Sequence, residues 1–170
     1  MSRRLILLAA SHLLVACLGF GLGVYLLPIL TAPADPPAAA VASAIEHATY
    51  HASFKRTLPG SNRLHWAEGK VGVSPGEISF EGEMAPGPDY KIYLTNEYVD
   101  THDGFLKIKD SARRVGEVKS FKRLLVKLPP DVNVDDYTTV VVWCETFSKF
   151  ISAAQYRHPG SASEQGAVTL

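Results

Sequence analysis

Cysteine is scarce in this chain. There are two in 170 residues, Cys17 and Cys144. No Cys-x-x-Cys pair exists, which excludes a zinc ribbon, a thioredoxin-type dithiol and covalent haem attachment through Cys-x-x-Cys-His. An excess of either charge is also missing: Lys plus Arg and Asp plus Glu number 17 each. Without a basic face, nucleic acid is not an expected partner. No Gly-x-Ser-x-Gly, phosphate-binding loop or His-Glu-x-x-His occurs, so a stand-alone enzyme is not expected and no metal residue is assigned. Methionine is equally sparse. Cys144 and His158 would need a weak axial ligand to make a copper site, and no Met follows Cys144. Strands alternating with helices, the mark of a doubly wound parallel sheet, are absent too.

Charge is missing altogether from Leu5 to Leu30. A bilayer-spanning helix needs about 20 apolar residues, so this run is long enough. Arg3 and Arg4 precede it and keep the N-terminus cytoplasmic by the positive-inside rule. The expectation is an uncleaved single-pass signal anchor in the inner (cytoplasmic) membrane. The membrane is contacted through residues 5–30, and the remainder lies outside, in the periplasm of a Gram-negative cell. Two alternatives stay open: a cleaved signal peptide, and a lipoprotein signal in which "LVAC" presents Cys17 for lipidation. Gly19, Gly21 and Gly23 would let a neighbouring helix approach the span.

"TAPADPPAAA" (31–40) reads as an extended Pro/Ala linker. The alanine-rich stretch 38–56 predicts a helix, with Val41, Ile45, Ala48 and Ala52 in one stripe and His47 and His51 together on one face. Beyond a turn at 58–62 come short strands split by turn residues: "EISFEGE", "YKIYLTN", "FLKIKD", "RRVGEVKS", "RLLVKLP", "TTVVVWCETF" and "KFISAAQYR". Residues 99–104 read as loop, and "PDVNVDDY" as a turn with a short helical piece. About eight strands predict an all-β fold, an antiparallel β-sandwich or barrel-like domain, after an N-terminal transmembrane helix and a short linker and helix. The expected boundaries are 1–31 for the anchor or signal, 32–57 for the linker with its helix, 58–158 for the β domain and 159–170 for a disordered tail.

Attention falls on Cys144. Side chains two apart on a strand share a face. Val140, Val142 and Cys144 therefore share one face, and Val141 and Trp143 the other. Both faces are apolar, so this is a central strand covered on both sides. Free cysteine commonly packs as a small hydrophobe, yet an unpaired thiol in an oxidising compartment is exposed to chemistry. Activation would need a cation, for which Lys149 and Arg157 are candidates. The acidic pair Asp135–Asp136 reads as turn residues.

The segments "GPDYKIYL", "VGEVKSFKRLLVKLP" and "VDDYTTVVVWCETFSKFISAAQY" resemble the DM-thirteen domain, the proposed electron-transfer domain of Skeletor-type animal proteins and many bacterial envelope proteins. Gly87, Pro88 and Asp89, Gly116, Pro129 and the Trp143–Cys144 pair carry the resemblance over about 62–157. The strand before Pro129 departs from the family's Gly-x-Gln-x-Tyr. The resemblance implies that Cys144 is the redox residue, as a bare thiol or by holding a prosthetic group such as haem, with Trp143 beside it at the cofactor-binding position. His65, His102 or His158 would supply a second ligand. The implied partner is a redox protein. The competing expectation is a non-catalytic protein-interaction or scaffold domain with Cys144 as a buried core residue.

Overall fold

The structure, a computed structural model, describes residues 2–158. The tail expected to be disordered, 159–170, lies outside the described residues. Helix α1 (Arg3–Thr31) carries no buried residue. It is one helix long and apolar enough to cross a membrane. Helix α2 (Ala38–Glu46) follows the linker.

Eight strands then form two four-stranded antiparallel sheets. They are β1 (Tyr50–Phe54), β2 (Ala67–Ser74), β3 (Glu77–Met84), β4 (Tyr90–Thr95), β5 (Arg113–Glu117), β6 (Arg123–Lys127), β7 (Thr139–Cys144) and β8 (Lys149–Gln155). The orders are β1-β2-β3-β6 and β5-β4-β7-β8. The fold is a sandwich of two separate sheets, as the strand pattern predicts, rather than a closed barrel.

Alternation builds the layers. Ile78 and Phe80 of β3, Tyr90, Ile92 and Leu94 of β4, and Val140, Val142 and Cys144 of β7 point between the sheets into the main core. The opposite parity of the second sheet gives a smaller core of Tyr93, Val141, Trp143, Phe150 and Ala153. All six residues of β7 are buried. That is why its apolar residues run unbroken where a half-exposed strand would alternate. Pro75 and Gly76, with φ 88° at Gly76, join β2 to β3 in the geometry that proline then glycine favour.

Two expectations are corrected. The helix predicted over 38–56 stops at Glu46, and Tyr50–Phe54 become β1, paired with β2 from Tyr50↔Val73 to Phe54↔Gly69. Cross-strand pairing with an open sheet edge overrides the weak helical preference of Tyr, His and Phe. Val41, Ile45 and Ala48 do form a buried stripe. They lie on β2 where Gly72 lacks a side chain, and a Cβ there would come 2.9 Å from Ala48 Cβ. His47 and His51 consequently share no helix face: His47 caps α2 and His51 lies in β1.

The second correction concerns 99–111. A loop followed by the strand "FLKIKD" was expected; the chain instead forms helix α3 (His102–Ile108) and a 3-10 turn (Lys109–Ser111). Thr101 caps α3 by accepting the Gly104 N–H at 3.0 Å. Phe105 and Ile108, three apart on one helix face, cover the outer face of the second sheet. A helix can bury both together, whereas alternation would have put them on opposite sides.

Candidate functional site

Cys144 ends β7, where the chain turns through 145–148 into β8. Its Cα partners are Tyr90 on one side and Lys149 on the other. The residue is 1% exposed. It nevertheless reaches a cavity of about 190 Å3 whose walls include Leu64, His65, Gly87, Pro88, Tyr90 and Phe147, together with Gly21, Val24 and Tyr25 of α1.

Each wall has a local cause. Gly87 lies flat against the Tyr90 ring, in space a Cβ would occupy. Pro88 follows, and Asp89 then holds the doorway. Its carbonyl accepts the Glu145 N–H at 3.0 Å, and its carboxylate pairs with Lys91 at 2.7 Å. Lys91 also reaches Glu117 at 2.7 Å. The Gly-Pro-Asp triplet is therefore the clamp that fixes the floor of the β7–β8 turn. Opposite it, the Asn62 side chain accepts the N–H groups of Leu64 (2.9 Å) and His65 (3.0 Å), folding the loop that presents His65 to the cavity. His65 Nδ1 lies 3.1 Å from the same Asn62 oxygen.

Burial pushes the Cys144 thiol pKa up. Backbone N–H groups of Phe147, Asp89 and Thr146 favour the thiolate but do not overcome it. Neither proposed cation acts on the thiol. Arg157 is bound to the carbonyl oxygens of Tyr137 and Asp135. Lys149 contributes the backbone pairing already noted, and its charge acts on His65. Burial, and then Lys149, hold His65 below its ordinary pKa, so its imidazole is neutral at neutral pH.

The structure separates Trp143 from Cys144. Trp143 points to the opposite face of the sheet and is 0% exposed. Its ring packs on Phe105 (centroids 5.0 Å) and His102 (5.3 Å). Lys109 Nζ stands 5.4 Å from its centroid. Its indole N–H has no hydrogen-bond partner. Around it lies a charged cluster that reading by strand and turn did not anticipate. Glu145 accepts from Lys109 Nζ at 2.6 Å and also from the Tyr93 hydroxyl. These residues are 36 and 52 positions from Glu145, so no spacing rule links them. The alternation around Tyr93 and Trp143 was the available signal, since it places both on one face.

Of the three candidate histidines, the structure brings only His65 to Cys144. His102 packs on Trp143, with Nε2 3.0 Å from the Ser148 carbonyl. His158 lines a groove beside His51. Asp135 accepts the Tyr50 hydroxyl at 2.6 Å, a structural role. Among the described residues, no three His, Cys, Asp or Glu side chains gather as a metal set.

Burial raises the Glu145 pKa, but the Lys109 and Tyr93 hydrogen bonds outweigh it and the net shift is downward. A lowered folded-state pKa means the ionised form stabilises the fold above the unfolded pKa, and that contribution is lost as pH falls. Glu145→Gln is expected to cost about 1–3 kcal/mol at neutral pH, as for hydrogen bonds to a charged group. The gap in melting temperature between wild type and variant narrows below about pH 4.5. Thermal melts from pH 3 to 7 check this; a constant gap would remove Glu145 as a stabilising anion.

Two stacked antiparallel sheets, with a buried thiol ending a central strand and a Gly-Pro-Asp clamp beside it, define a thiol-bearing β-sandwich following one apolar helix. The model of the family described as electron transfer DM13 matches residues 58–156, more than half of the chain, and the protein belongs to that family. No curated protein matches the chain significantly, and no solved structure does.

Haem has to be tested against this geometry. Ligand sites for drug-sized molecules are about 300–1,000 Å3, and haem is larger than most such molecules. The cavity at Cys144, about 190 Å3, is smaller than that range. Haem therefore does not fit within the Cys144 cavity by itself.

Proposed function

We propose that this protein is a membrane-tethered, extracytoplasmic electron-transfer accessory module that acts through Cys144. Membership of the electron-transfer family supports a redox role. Helix α1 supports tethering, and Arg3–Arg4 at its start support an orientation with the domain on the periplasmic side of the inner membrane. The observation that carries the reading is the thiol's position. Cys144 forms a wall of a cavity beside His65. A thiol packed solely as core filler needs no such opening. Trp143 is a positioning residue: its burial on the far face fixes the end of β7.

The chemistry available to one thiol is oxidation at sulfur. The thiolate attacks a peroxide oxygen, an S–O bond forms, the O–O bond breaks and hydroxide leaves, giving sulfenic acid. A second thiol would then displace water and close a mixed disulfide.

A second reading has its own observation. With 1% exposure and a raised pKa, Cys144 also has the properties of a core residue in a scaffold domain. Dilute hydrogen peroxide with dimedone trapping separates the two, using the full chain in detergent on a Cys17→Ser background. The expected result is a dimedone adduct at Cys144 in the folded protein. The adduct disappears in Cys144→Ser while circular dichroism and melting temperature stay close to the parent. An unreactive folded parent that labels only in denaturant would establish the scaffold reading.

A further inference from the structure

The cavity at Cys144 has a neighbour. A second cavity of about 530 Å3 lies between α1 and the β7–β8 turn, lined by Phe20, Gly23, Leu27 and Thr146 among others. The two share Val24, Pro88 and Phe147 as walls, so they adjoin. We propose that this pair of cavities binds a neutral, lipid-soluble quinone, with the ring turned inward to Cys144 and His65 and the tail running along α1 into the bilayer. The proposal rests on the membrane-tethered electron-transfer reading and names the small-molecule class that site would take.

Location comes first. About 20 residues at 1.5 Å each cross the hydrocarbon layer. Counted from Leu5 after the two arginines, the crossing ends near Val24. The cavities, walled on α1 by residues from Phe20 to Thr31, therefore straddle the outer boundary of the bilayer and open to lipid on their inner side. Leu64 (66% exposed) and Phe147 (44% exposed) show apolar side chains at the same end of the sandwich, where lipid contact would cover them.

Composition comes second. No Asp, Glu, Lys or Arg lines either cavity. A charged ligand would lose its hydration with no countercharge. The polar groups on the inner cavity's walls are the Cys144 thiol, His65 and the Tyr90 and Tyr25 hydroxyls. With Nδ1 turned to Asn62, His65 keeps Nε2 as an acceptor in its neutral form. A quinol hydroxyl can donate to that nitrogen, and a quinone carbonyl can accept from S–H. A lipid acyl chain offers neither and would leave both unpaired.

Space comes third. A Cβ built on Gly21 or Gly23 meets nothing within 4 Å. Gly21 and Gly23 leave that room on the walls of the two cavities. The volumes together fall in the ~300–1,000 Å3 class of ligand sites.

The test uses the full chain in nanodiscs and decyl-ubiquinone, whose ring is fully substituted and forms no thioether with Cys144. Quenching of Trp66 and Trp143 fluorescence reports binding. The expected result is saturable quenching, weakened about tenfold or more by Gly21→Leu, which fills the cavity, and about threefold by His65→Leu. Non-saturating quenching, or equal affinity in Gly21→Leu, overturns the site. Full displacement by decanol also overturns it and makes the groove a binding place for alkyl chains. A Cys144 dimedone adduct without saturable quenching would sink the quinone site and leave the redox reading standing. Saturable quenching without the adduct would do the reverse.

Discussion

Trp143→Ala is expected to lower the stability of the folded domain by about 3–5 kcal/mol, the range for emptying a large aromatic from a core. Trp143 is 0% exposed and touches both Phe105 of α3 and His102 at the helix start. Removing it leaves a void that α3, anchored through Thr101 and packed by Phe105, can only partly close. Domains hold about 5–15 kcal/mol in total, so this one side chain accounts for a large share. The corresponding fall in melting temperature is about 10–20 °C. Trp143→Phe is the informative control. It keeps an aromatic in the slot and deletes an indole N–H that has no partner. A buried unsatisfied donor costs about 1–3 kcal/mol, which offsets the lost volume. The phenylalanine variant should therefore melt much closer to wild type than the alanine variant. Equal losses in the two would show that the indole N–H is satisfied in solution. A loss below about 1 kcal/mol in the alanine variant would show that α3 collapses onto the sheet without it.

The second large effect is kinetic. On a Cys17→Ser background, Cys144 should react with methyl methanethiosulfonate about 10 to 1,000 times more slowly in the native chain than in denaturant. That is the window of a local opening. A bulky fluorescein maleimide should be slowed further, to the limit set by global unfolding, for which folded-to-unfolded ratios run about 10³–10⁸. The difference follows from geometry: Cys144 meets the cavity but is 1% exposed, so the size of the reagent decides the route. The raised thiol pKa adds a pH signature. Thiolate is the reacting form, so the native rate keeps climbing with pH beyond the point where a free thiol levels off. Native rates equal for both reagents would mean that only global unfolding exposes the sulfur, and the thiol would be core.

Parity made β7 legible. Five residues, Val140–Cys144, with both faces apolar read as a central strand, and the assignment of Cys144 and Trp143 to opposite faces followed at once. The turn at Pro75–Gly76 follows a local rule of the same kind, since proline followed by glycine leaves few alternatives. Residues 50–54 were not, because their strand character comes from β2 across the gap, which no local window contains. Phe105 and Ile108 misled in the same way. Their spacing fits a helix face, but the short apolar run containing them satisfies a strand until Thr101 is seen capping. The Glu145–Lys109–Tyr93 cluster joins three elements distant in sequence and required the fold. The site itself was half visible. Cys144 and the Gly-Pro-Asp motif stood out, while His65 was one of three equivalent histidines until Asn62 turned it toward the thiol.

The linker between span and sandwich has a consequence for how the molecule meets its partners. Six residues, 32–37, separate α1 from α2. They cannot reach beyond about 20 Å even fully extended, and they are not free to extend. Arg123 Nε donates to the Pro36 carbonyl at 3.0 Å, and its guanidinium lies 3.5 Å from Asp35. The sandwich is thus moored rather than leashed. A soluble shuttle would have to dock against a body that cannot swing out to meet it. On the proposed membrane placement, a carrier confined to that membrane would search in two dimensions and meet the Cys144 end at an effective concentration set by its density in the sheet of lipid. With α1 in a bilayer as proposed, the span would act as a mooring that selects partners by the phase they live in.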